Sequence, residues 1–152
     1  MKIKEKVLSY TKFEMQILKN PGEYRVCEYD DGNTSYYAFT DGYVMYFIPQ
    51  NSCHLDIEKF QKRNNMEKFI DKTLNDTCEA AHISDIYKKA IIGVTRKLVS
   101  ENQTVYVNDK YLKQFANCGF EIIEPMKPII AKWHWLIVGM IMPLRVDDGE
   151  RF

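Results

Sequence analysis

Residues 24–49 form three runs, YRVCEYD, TSYYAFT and YVMYFIP, in which aromatic or β-branched side chains recur, separated by Asp31-Gly32 and Asp41-Gly42. An Asp-Gly step between two such runs is the strongest local hairpin signal, because a type I′ turn needs positive φ at both central residues. The spacing therefore predicts a three-stranded antiparallel meander. In its last strand Tyr43, Met45 and Phe47 fall on one face and Val44, Tyr46 and Ile48 on the other. Neither face is polar, so this strand is expected to be covered on both sides.

Around the meander the pattern changes. Residues 2–19 are expected to begin extended and to turn helical near Glu5, with Val7, Leu8 and Phe13 inward. Residues 56–76 carry Ile57, Phe60, Phe69, Ile70 and Leu74 at helical spacing and predict a helix bent near Asn64-Asn65. Ser84 is placed to cap a shorter helix through Ile92, with Gly93 as its stop, before an extended stretch at 94–99. A strand at 104–107 then leads into a helix that starts at Asn108 or Asp109, buries Tyr111, Leu112 and Phe115, and ends by Gly119. Three strands close the chain, at 120–124, 129–133 and 135–146. IKEKVL at residues 3–8 overlays VNDKYL at 107–112, and each copy precedes a set of antiparallel strands, so an internal duplication is expected.

Composition narrows the classes. The 152 residues fit one domain, with halves at about 1–50 and 104–147 and a helical insertion at about 51–100. Twenty-one basic residues balance 21 acidic ones. No global field holds nucleic acid or membrane, and any such contact needs a local patch. The four cysteines lie apart without a CxxC pair, which with the charged N-terminus suits a reducing, cytoplasmic setting. The longest apolar run, 135–144, is far short of a membrane helix, and no membrane partner is expected.

Three segments carry a resemblance. AFTDGYVM at 38–45 resembles the strand-turn-strand of bacterial sliding DNA clamps, the β subunit of the replicative polymerase. VYVNDKYL at 105–112 resembles the strand and helix start of a clamp half-domain, and GMIMPLRV at 139–146 is similar to the clamp's C-terminal strand. The resemblance implies an α+β, DNA-clamp-like fold of two strand-helix-three-strand halves, with antiparallel sheets outside and two helices on the other face. It implies a non-catalytic accessory of DNA replication or maintenance, a processivity factor that self-associates into a ring. Lys6, Lys12, Lys110 and Lys113 would face the phosphates of duplex DNA without reading sequence. Thr40, Gly42, Tyr43, Val44, Met45, Met142 and Leu144 stand where the family takes short peptides of replication proteins. In the family the turn part of this pocket (Thr40, Gly42, Tyr43, Val44, Met45) and its C-terminal-strand part (Met142, Leu144) come from neighbouring domains, and Tyr-Val-Met here replaces His-Arg-Leu.

Other chemistry is sparse. Cys53, His54, Cys78 and His82 include a Cys-x-x-x-His spacing and are the one zinc candidate, in an unusual arrangement. His134 stands between two tryptophans. No phosphate-binding glycine loop, nucleophile elbow or carboxylate cluster is present, so the expectation is a protein without catalytic residues, cofactor or metal. Three readings stay open: a clamp accessory on DNA, an interaction module that keeps the fold without encircling DNA, and a metal-dependent enzyme.

Overall fold

The computed structural model describes residues 9–91 and 93–144. Helix α1 (Tyr10–Lys19) begins after Ser9, whose backbone is extended (φ −108°, ψ 108°), and the expected start near Glu5 lies outside the described residues. It turns Phe13, Ile17 and the carboxylate of Glu14 inward. The overlay of 3–8 on 107–112 falls outside the described residues, as does Lys6.

A 3₁₀ turn leads into the meander, β1 (Arg25–Asp30), β2 (Ser35–Thr40) and β3 (Val44–Pro49). Its turns are not type I′, since only the glycines take positive φ (95° at Gly32, 94° at Gly42). Instead the aspartate carboxylates hold them. Asp31 accepts the amides of Asn33 and Thr34, and Asp41 those of Tyr43 and Val44, at 2.7–3.0 Å. Val44 to Ile48 are all buried, as a strand covered on both faces requires.

The middle of the chain departs from expectation. The long helix is replaced by a 3₁₀ turn (Ile57–Lys59), a two-residue strand β4 (Gln61–Lys62) and helix α2 (Met66–Leu74), entered through Asn65 at φ 64°. The helix capped by Ser84 does not exist. That stretch lies in β5 (Glu79–Ala90), which turns at Gly93 (φ 129°) into β6 (Gly93–Val99). Ser84 keeps its hydroxyl busy in the strand, donating to the Lys97 carbonyl at 2.8 Å and accepting from the Ile86 amide. The insertion therefore holds more strand than helix. β7 (Thr104–Asn108) follows. Helix α3 (Asp109–Gln114), capped by the Asn108 side chain, stops short of Cys118, and β8 (Gly119–Ile122), β9 (Ile129–Trp133) and β10 (Leu136–Ile141) complete the order.

The ten strands among the described residues join one sheet, ordered β4-β1-β2-β3-β10-β9-β8-β5-β6-β7 and antiparallel except at β1–β4. The two meanders meet at its centre, where Met45 lies opposite Met140 and Tyr46 opposite Gly139. Three residues past β10 the Leu144 amide donates to the Tyr106 carbonyl of β7 at 2.7 Å, so the sheet curls to bring its β7 edge beside the end of β10. α1 and α3 cover one face, burying Phe13, Ile17, Leu112 and Phe115 against Tyr46, Val44 and Val138. The other face is not open: α2 packs Ile70 and Leu74 there against Tyr29, Phe47, Ile130 and Met140. The fold is thus α+β, a mostly antiparallel sheet with helices on both faces.

Candidate functional site

The second turn of the meander is built to be rigid. Thr40 ends β2 with its hydroxyl accepting the Gly42 amide at 3.0 Å, and Asp41 holds the next two amides. From the other half of the chain, the Met142 amide donates to the Tyr43 carbonyl at 2.8 Å. This bond fastens the turn to the end of β10, because β10 is the neighbour of β3 in the sheet.

Beside that junction lies a groove of about 190 Å³, lined by Thr40, Gly42, Tyr43, Val44 and Met45 from the first half and Met140 and Met142 from the second. Pro128 closes one side, and Arg63, Met66 and Phe69 close it from α2 and its lead-in. Six of the seven residues expected in a peptide pocket thus border a single groove. Val44 does so although its side chain belongs to the core beneath α1 and α3. Leu144 does not take part, since its backbone pairs with β7. Pattern alone missed Arg63, Met66, Phe69, Pro128 and Met140. The i, i+3 spacing of Met66 and Phe69 would have marked a helix face, but not where that face docks.

The groove is apolar and soft. Met45 and Met140 form its buried floor, whereas Tyr43 (63%) and Phe69 (41%) keep large exposed surfaces at its rim. Unbranched thioethers adapt to the shape of what they touch, which suits a site that accepts one or two apolar side chains. Arg63 is the sole charged residue of the lining.

The lysines are arranged differently. Lys12 on α1 donates its ammonium to the Lys113 backbone carbonyl on α3, which joins the two helices. Lys113 also lies 3.5 Å from Asp109, which in turn meets Arg96 at 3.3 Å, and Lys110 stands 5.0 Å from the centre of the Tyr111 ring. The same outer face of α1 carries exposed Met15 and Leu18, so it is mixed in character.

The zinc candidates are separated by their partners. His54 reaches Glu14 through its backbone amide (2.7 Å) and Nδ1 (3.1 Å), and Cys78 donates to Glu121 at 2.8 Å. No group of three or more His, Cys, Asp or Glu that could hold a metal ion occurs among the described residues. His134 takes φ 57° in the β9–β10 turn, against both tryptophan rings. No helix among the described residues is long and apolar enough to cross a membrane.

Compared with known proteins, the chain matches no family model, no curated protein and no solved structure.

Proposed function

We propose that this protein is a non-catalytic interaction module of clamp-like organisation that captures short apolar peptides in the methionine groove. One observation carries the reading: Thr40, Gly42, Tyr43, Val44, Met45 and Met142, taken from two distant segments, border one groove. In clamps the corresponding pieces come from two domains, and here one sheet supplies both. Apolar anchors entering an adaptable pocket are a common mode of peptide recognition, and the small volume suits one anchor and not a whole small-molecule substrate.

The test is panning of a displayed library of random short peptides on the full chain. Enriched peptides should carry a leucine, methionine or aromatic anchor and should lose affinity by at least about tenfold against Met142→Asp, with the circular dichroism unchanged. Enrichment that ignores Met142→Asp and Tyr43→Ala alike would move binding elsewhere and sink the proposal.

A DNA-encircling accessory of replication is the second reading, and the contact that joins α1, which carries Lys12, to α3, which carries Lys110 and Lys113, favours it. It requires duplex binding that weakens steeply with salt, a loss of binding in the double change Lys110→Glu, Lys113→Glu, and a ring-sized particle by light scattering. A salt-insensitive or absent interaction with duplex DNA leaves the peptide module alone.

A further inference from the structure

Strand β1 is covered by β4 over two residues only. Arg25 and Val26 pair with Gln61 and Lys62, the Arg63 amide donates to the Val26 carbonyl at 2.9 Å, and the chain then leaves the sheet for α2. Backbone groups alternate in direction along a strand. Since Val26 faces β4, Glu28 and Asp30 turn their N–H and C=O groups to the same side, where no described strand lies.

At this edge is a cleft of about 500 Å³, within the ~300–1,000 Å³ range of ligand clefts. Val26, Tyr37 and Ile57, of the core beneath α1 and α3, line one wall, and Cys27 and Met66, of the core beneath α2, line the other. A cavity walled from both sheet faces and floored, past Val26, by a strand edge that no described residue pairs occupies the position of the next strand. It also adjoins the methionine groove, because Arg63 and Met66 line both. The Arg63 Nε lies 3.4 Å from the Met66 sulfur, and Arg63 is in no ion pair among the described residues.

We propose that the partner peptide continues the line of β4 as an added strand on β1, bonded to the backbone of Glu28, with an acidic side chain meeting Arg63 beside the apolar anchor in the methionine groove. This rests on the peptide-capture reading and extends it. An open strand edge selects extended chain through main-chain hydrogen bonds, and flanking pockets select side chains. Lys62, Arg63 and Lys68 balance Glu28, Glu58 and Glu67 along the cleft, so the preference for an acidic side chain rests on Arg63, the one charged residue that also borders the methionine groove, whose guanidinium binds carboxylates in fork geometry.

The experiment uses the peptides enriched on the full chain. Their sequences are expected to pair an acidic residue with the anchor, and Arg63→Glu should lower their affinity by about tenfold. Glu28→Pro removes an amide that points away from β2, a place where proline is tolerated, and should weaken binding to a similar degree. In the unaltered protein, exchange of the Glu28 amide should slow when the peptide is bound, a readout that stands even if the proline variant misfolds. Peptides that are lost with Met142→Asp yet neither feel Glu28→Pro nor protect the Glu28 amide would leave the groove standing and overturn strand addition. Failure to enrich any peptide would overturn both. Protection of that amide by the protein alone at high concentration, with dimers abolished by Glu28→Pro, would make a second copy the occupant and overturn the peptide assignment.

Discussion

Gly139 is where the packing of the two halves is tightest. A Cβ at this position would overlap the Phe115 ring and the Met45 carbonyl, so only glycine lets α3 press its phenylalanine onto β10 where β3 pairs. Gly139→Ala is expected to lower stability by about 1–3 kcal/mol, the usual cost of overpacking a filled core, as read from the urea midpoint. Adding Phe115→Leu should recover part of that loss, and full additivity of the two changes would count against the contact. Glu14 is the other exacting residue, a carboxylate with 5% exposure that accepts two hydrogen bonds from His54. Glu14→Ala should cost about 1.5–3 kcal/mol by removing the charged acceptor of the His54 amide, and a neutral result would mean that water replaces the carboxylate. At this scale the turn residues of the groove were legible because their chemistry is local: an Asp, a Gly and the amides beside them. Leu144 was not, because the direction taken after Pro143 depends on β7. Arg63 and Met66 were not, because the docking of α2 is decided by the far side of the sheet.

The elements divide in the same way. β1 to β3 and β8 to β10 were readable from turn signals and alternation. β5 was not, because ISDIYKKA alternates too weakly to separate strand from helix and Ser84 is as good an N-cap as it is a strand residue with a bonded hydroxyl. Its partner β6 settles the matter. From His82 onward β5 pairs with β6 only, and the arm leaves Ile86, Tyr87 and Val94 substantially exposed. Gly93→Ala forces a side chain into a backbone conformation with φ 129°, strain of about 1–3 kcal/mol. Amide exchange should therefore speed up along 84–95 while that of β2 and β3 stays unchanged. Uniform acceleration across the sheet would instead make the arm part of the global unfolding unit.

For the whole molecule, the sequence conveyed the class of structure but not the single sheet, since strand order is set by pairings between distant segments. The two-sided burial has a measurable effect on pH behaviour. Burial pushes the thiols of Cys27, Cys78 and Cys118 up to about 11 from an ordinary value of 9.0, with the Glu67 charge adding at Cys27 and the Glu121 hydrogen bond at Cys78. It likewise pushes the Tyr111 hydroxyl up to about 12. Groups raised in the folded state contribute stability that is complete below their unfolded values and is lost as pH rises through the folded ones. The urea midpoint should thus hold below pH 9, fall between about 9 and 11, and continue to fall towards 12. A midpoint that rises over that range would contradict the burial of these groups. At neutral pH the three thiols stay protonated, so alkylation of the folded protein should be slow and should quicken on unfolding.

The seam at which residues 44–46 pair with 139–141 also has a consequence in time. During synthesis β3, apolar on both faces, emerges with its meander long before the strand that will cover its edge. The middle of the sheet can form only when residues 139–141 have also left the ribosome. Pairings this distant in sequence slow folding, and an uncovered apolar edge invites the wrong neighbour while it waits. A chain halted after residue 100 should accordingly stick to chaperones or aggregate, whereas the chain carried past residue 144 should close the seam and be released.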